Sequence, residues 1–139
     1  MRRVIGLDLG SKTIGVAKSD LLQIIASPHE TIFFNENDYN QALNLVLKTL
    51  KDFEIDKIIL GLPKHMTGDV GVRGNISLDF KKQLETKGYE VILWDERLSS
   101  KAATNVLIQG NVSRKNRKKI IDQIAAVIIL QGYLDSLKK

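Results

Sequence analysis

The sequence predicts an α/β fold: a mixed sheet flanked by helices, in the element order βββαβαβαα. Three observations carry this. Two β-rich runs near the start are separated only by a Gly-Ser-Lys turn. From Tyr39 onward, stretches of helical apolar spacing alternate with short apolar runs. Of the chain's 139 residues, 43% are hydrophobic and 27% charged, with no internal repeat, linker or low-complexity segment. That balance suits one domain over 1–139, near the commonest domain size of about 100–150 residues.

The elements follow in order. Arg3–Leu9 is a strand closed by Gly10, and Thr13–Lys18 is its hairpin partner. A third strand is expected around Ile24–Phe34, with Pro28 marking an irregularity or a sheet edge. Tyr39, Ala42, Leu43, Val46, Leu50 and Phe53 then stripe a helix, with Asn35 or Asn37 as candidate caps. Lys57–Gly61 is a buried strand leading to Gly61-Leu62-Pro63, and a polar loop over 64–72 follows. Ile76, Phe80 and Leu84 stripe a helix that stops at Gly88. Glu90–Trp94 is the last strand, ending in Asp95-Glu96-Arg97. Ser99 or Ser100 caps a helix ending near Gly110, and a long helix runs from about Asn116 to Leu137. Its expected stripe is Ile121, Ile124, Ala125, Ile128 and Leu134.

Composition removes several chemistries. With no cysteine there is no disulfide, thiolate-held metal or thiol nucleophile. No run approaches the roughly 18 apolar residues of a membrane span, and Met1-Arg2-Arg3 precedes a strand containing Asp8, not a signal-peptide core. A cytoplasmic protein without membrane contact is expected. The net charge of +5 is concentrated: residues 1–109 hold 14 basic and 14 acidic side chains, residues 110–139 seven basic and two acidic. Five of those seven lie in Arg114-Lys115-Asn116-Arg117-Lys118-Lys119. Such a run fits a polyanion footprint, the bland alternative being a solvated loop and helix start.

Three acidic positions stand where carboxylates are expensive. Alternation along the first strand puts Ile5, Leu7 and Leu9 on one face and Val4, Gly6 and Asp8 on the other. A carboxylate in a central strand costs several kcal/mol unless a cation compensates it; otherwise Asp8 simply caps the turn at Gly10-Ser11. Asp95 and Glu96 end a strand, where sites gather in parallel sheets. Asp95 shares a face with Leu93 and Glu96 with Trp94, and the pattern leaves open which one serves a site. Asp122 precedes Ala125 and Ala126, small residues that let a helix approach a sheet closely; its bland alternative is a first-turn Asp favoured by the helix dipole. Three carboxylates with no cysteine suit a hard divalent cation, Mg²⁺ or Mn²⁺. His29 and His65 form no cluster and are a poor basis for zinc.

Four segments, Asp8-Leu9-Gly10-Ser11-Lys12-Thr13-Ile14-Gly15-Val16-Ala17, Gly61-Leu62-Pro63, Asp95-Glu96-Arg97-Leu98-Ser99-Ser100 and Asp122-Gln123-Ile124-Ala125-Ala126, resemble the YqgF (RuvX) family in order and spacing across nearly the whole chain. Those bacterial proteins are described as Holliday-junction resolvases and as nucleases maturing the 5′ end of pre-16S ribosomal RNA. The resemblance implies a ribonuclease H-like fold with a mixed five-stranded sheet. It implies Asp8, Glu96 and Asp122 as catalytic, metal-binding carboxylates, which prefers Glu96 over Asp95. Lys12, Arg73, Arg97, Arg114, Lys115, Arg117 and Lys118 would then face phosphates. The partner would be structured nucleic acid, pre-16S rRNA or a four-way DNA junction, bound by a monomer or homodimer. The chain departs from the family pattern at Thr13, where Arg is usual, in Gly71-Val72-Arg73-Gly74, which lacks a Pro before the Arg, and at Ser99-Ser100, which replaces a more Thr-rich pair. The opening motif also looks like the phosphate hairpin of actin-like ATPases, but those need two lobes and this chain is one lobe long. A third reading is a non-catalytic RNA-binding ribosome-assembly module.

Overall fold

The first strand lies at the middle of the sheet, between an antiparallel hairpin on one side and two parallel strands on the other. A computed structural model of the chain describes residues 2–63, 71–96 and 114–137, with only the backbone described at 114–122. Its elements are β1 (Arg3–Leu9), β2 (Thr13–Ser19), β3 (Ala26–Phe33), α1 (Tyr39–Leu50), β4 (Ile55–Leu62), α2 (Val72–Thr86), β5 (Val91–Asp95) and α3 (Arg114–Ser136). The helix expected between Ser99 and Gly110 and most of the loop expected over 64–72 lie outside the described residues. The five strands stand in the order β3-β2-β1-β4-β5, antiparallel from β1 to β3 and parallel from β1 to β5. This is the mixed sheet expected.

The alternation read along β1 holds. Ile5, Leu7 and Leu9 join Ile14, Val16, Ile58 and Leu60 in a core closed by Ala42, Val46 and Leu50 of α1 and by Phe80 and Leu84 of α2. Val4, on the other face, packs with Ile59, Ala126, Ile129, Leu130 and Leu134 beneath α3. Gly6 permits that approach: a Cβ there would stand 2.8 Å from Leu130 Cβ and 2.9 Å from the Ala126 carbonyl oxygen. Each large aliphatic side chain so buried contributes about 1.5–3 kcal/mol.

Several boundaries differ from expectation. β3 starts at Ala26 because Asp20 accepts hydrogen bonds from the backbone N–H groups of Ile24 and Ile25, which holds residues 20–25 in a turn. Pro28 sits on an edge strand and beside a register shift, so both of its expected meanings apply. The α1 cap is Asp38, whose side chain accepts from Gln41 N at 3.1 Å, and not Asn35 or Asn37. Asn37 instead takes a left-handed backbone, φ 62°, a conformation Asn tolerates better than most residues. Along α3 the buried positions are Ala125, Ala126, Ile129, Leu130, Tyr133 and Leu134, so Ile124 and Ile128 are only half-buried. The stripe turns this way because α3 lies flat on the sheet with its small residues against β1. Among the described residues no helix is long and apolar enough to cross a membrane.

Candidate active site

Two carboxyl groups from distant segments meet at the carboxyl end of β1. Asp8 projects from the α3 face of β1 and is half-buried. Its lateral neighbours lack side chains. On β2 it pairs with Gly15. On β4 the pairing Leu7–Leu60 puts Gly61 in the next position.

Glu96 follows the last residue of β5 and turns to the same face. A Cβ on Gly61 would stand 2.5 Å from Glu96 Cδ, 2.7 Å from Cγ and 2.8 Å from Ile129 Cδ1. Gly61 is therefore the floor on which the Glu96 side chain lies, with α3 above it. The alternation expected for this strand holds: Leu93 packs on the α1–α2 side, while Trp94 meets Tyr133 edge-on beneath α3. Glu96, in phase with Trp94, is thus the group that reaches Asp8.

The carboxyl of Glu96 is pushed from 4.5 up to about 10. Burial is the largest cause; the hydrogen bond to Asp8 and the Asp8 charge add to it, Arg73 opposes it, and Asp95 raises it slightly. Glu96 therefore carries a proton at neutral pH and donates it to the Asp8 carboxylate. Two carboxyl groups in hydrogen-bond contact cannot both ionise cheaply without a cation.

Arg73, on the first turn of α2, stands beside the pair. It is exposed, and its Nη2 donates to the Leu9 carbonyl at 3.1 Å while Nη1 donates to the Tyr39 hydroxyl at 3.4 Å. Lys12 is exposed on the β1–β2 hairpin, at the same end of the sheet. Its carbonyl accepts from Phe34 N at 2.9 Å.

The third expected carboxylate is placed by backbone alone. α3 runs antiparallel to β1, since Gln131 bonds the Ala26 end of β3 while Ala126 lies over Gly6. Position 122 is four residues before Ala126, about 6 Å along the axis, in the direction of Asp8. The side chain of Asp122 lies outside the described residues, as do those of Arg114, Lys115, Arg117 and Lys118; Arg97 and His65 lie outside them altogether. His29 takes no part: its ring stands edge-on to Phe53, 4.9 Å between centroids.

The donor set fits a hard divalent cation. Asp8 and Glu96 offer only carboxyl oxygens, and the Asp8 charge that helps to raise Glu96 marks where a positive charge would relieve repulsion. Among the described residues no group of three acidic or histidine side chains is assembled. Sequence reasoning weighed the carboxylates but not the part played by Gly61. The available signal was a glycine inside an otherwise aliphatic strand, which marks a close approach.

Residues 2–136 match the family model described as RuvX: Holliday junction resolvase. A protein of Bacillus subtilis (strain 168) named "Putative pre-16S rRNA nuclease" is 54% identical over 136 residues, covering 97% of this chain and 99% of its own. A Staphylococcus epidermidis protein of the same name (strain ATCC 35984) is 42% identical over 138 residues, 98% of this chain and 97% of its own. Among solved structures, RuvC of T. thermophilus in complex with a Holliday junction substrate superposes with a TM-score of 0.61 at 13% identity, over 99% of this chain and 96% of that one. The Fowlpox virus resolvase bound to Holliday junction DNA gives 0.61 at 18% identity, over 99% of both chains. At such identities the likeness establishes the fold, which is that of the RuvC-like, ribonuclease H-like resolvases.

Proposed function

The chain belongs to the RuvX family, and from that premise we propose that it is a divalent-metal-dependent endonuclease that processes the 5′ end of pre-16S rRNA in the cytoplasm. The observation that carries this is the Asp8–Glu96 pair, two carboxyl groups from distant segments in hydrogen-bond contact at the carboxyl end of the central strand. Asp8, Glu96 and Asp122 would hold one or two Mg²⁺ or Mn²⁺ ions through their carboxylate oxygens, Glu96 in its ionised form. The bound ion supplies Lewis acidity toward phosphate oxygens and toward water. Arg73, Lys12, Arg97 and the run Arg114–Lys118 grip the phosphates on either side. The reaction is in-line hydrolysis of a phosphodiester, leaving 3′-hydroxyl and 5′-phosphate ends.

A second substrate, the four-way DNA junction, is favoured by the description of the matching family. Cutting a symmetric junction suits a homodimer, whereas a precursor RNA end suits a monomer equally well. One experiment tests the nuclease reading and separates the substrates. The parent protein and Asp8→Asn are incubated with a labelled four-way junction and a 5′-extended 16S precursor, with and without Mn²⁺. The parent should cut the precursor only with metal, and Asp8→Asn should bind without cutting. Cleavage of the junction alone moves the assignment to recombination. Equal cutting by the variant removes Asp8 from catalysis, and tight binding without cutting by the parent leaves an assembly factor.

A further inference from the structure

Among the described residues Arg73 is held by neutral acceptors. Among the described residues it takes part in no ion pair; its two bonds go to a backbone carbonyl and a phenol. A guanidinium fixed by a carboxylate has its charge cancelled, whereas one fixed by a carbonyl and a phenol keeps it. Among the described residues the remaining donors of its planar fork meet no acceptor and could serve a ligand.

The phenol is itself held. The Tyr39 hydroxyl donates to Asn37 Oδ1 at 3.3 Å, which turns its lone pairs toward Arg73. The Tyr39 ring packs against Phe34 with centroids 5.9 Å apart. Asn37 N donates to the Ser11 carbonyl at 2.8 Å, tying this loop to the hairpin that follows Asp8. A left-handed backbone at Asn37, φ 62°, lets one residue serve both bonds. Leu9, Ser11, Asn37, Tyr39 and Arg73 thus form one circuit from the end of β1, through the hairpin and the start of α1, to the start of α2.

We propose that Tyr39 and Asn37 are positioning residues that hold the Arg73 guanidinium, undischarged, at the end of β1, where it grips a phosphate of the nucleic acid flanking the scissile bond. The inference rests on the nuclease reading above and adds two residues to it. Neither touches the reacting atoms. Both act through Arg73, so their effect exists only while Arg73 is present.

Equilibrium binding of the full chain to a labelled four-way junction and to a 5′-extended 16S precursor RNA, in EDTA to prevent cutting, tests this on the tighter-bound probe. Arg73→Gln should raise Kd about tenfold and lower the salt slope by about one phosphate contact. Tyr39→Phe and Asn37→Gly, which keep the ring packing and the left-handed backbone respectively, should each raise Kd about threefold. The double variant Arg73→Gln/Tyr39→Phe should bind no more weakly than Arg73→Gln alone. Parent-like binding by both Tyr39→Phe and Asn37→Gly, or a full threefold loss from Tyr39→Phe in the Arg73→Gln background, overturns the proposal while leaving Arg73 a phosphate ligand. Parent-like binding by Arg73→Gln overturns the phosphate role itself, and Tyr39 and Asn37 then only brace the fold.

Discussion

Gly61 and Glu96 occupy one space: a methyl group on Gly61 would stand 2.5 Å from the carboxyl carbon of Glu96. The glycine is what allows the acid to lie flat beneath α3 and reach Asp8. The atoms in the way, the end of Glu96 and Ile129 Cδ1, are tips of flexible side chains. Gly61→Ala should therefore expel Glu96 at little cost in folding. Cleavage should fall about 100-fold, the scale of a misplacement of about 1 Å in a catalytic group, while the melting temperature changes little. Parallel activity and thermal melts check this, and a variant that cuts at the parent rate would remove Glu96 from the site.

Gly6 gives the opposite expectation from the same kind of contact. Its obstructing atoms are Leu130 Cβ and the Ala126 carbonyl oxygen, at 2.8 and 2.9 Å, and neither can swing aside. Gly6→Ala should push α3 off β1 and destabilise by about 1–3 kcal/mol. Urea unfolding measures it; an unchanged midpoint would mean that α3 does not rest on β1 this closely.

The proton on Glu96 links stability to pH. Its folded pKa, about 10, lies above the ordinary 4.5, so between these values the folded, metal-free protein binds more protons than the unfolded chain. The stabilisation is complete below about pH 4.5 and is lost as pH rises toward 10, at no more than about 1.4 kcal/mol per unit. In EDTA, Glu96→Gln should lack this share of the decline. Mg²⁺ must displace the proton, so its affinity should strengthen with rising pH, and saturating Mg²⁺ should raise the melting temperature most at alkaline pH. Equal thermal shifts at pH 6 and pH 9 would contradict a proton on Glu96.

The cationic run at the start of α3 should act through charge alone. Replacing Arg114, Lys115, Arg117 and Lys118 by Gln should weaken binding to all nucleic-acid sequences and flatten log Kd against log salt by about 0.7–0.9 per lost phosphate contact. An unchanged slope would return the run to being a solvated helix start.

Much of the fold and part of the site are legible in the residues. Strict alternation along Val4–Leu9 is enough to assign Asp8 to one face, because a strand has a period of two and no freedom in it. The same rule puts Glu96 with Trp94 and Asp95 with Leu93. Helix details are harder. Asn35, Asn37 and Asp38 are all good caps, and the choice of Asp38 depends on Asn37 being drawn to Ser11 across the hairpin. The phase of α3 shifts by one position because Ala125 and Ala126, small in themselves, become the seam when a helix must pass over Gly6.

Sequence by itself determined which runs are strands, which face each strand side chain takes, and that acidic groups sit where apolar ones would be cheaper. Tertiary structure alone decided which acid joins Asp8 and what surrounds the pair. Local pattern sets the direction of a side chain, but only the packing of β4, β5 and α3 sets its distance from a residue 88 positions away. The burial of Glu96, its hydrogen bond to Asp8 and the influence of Arg73 on it all depend on that distance.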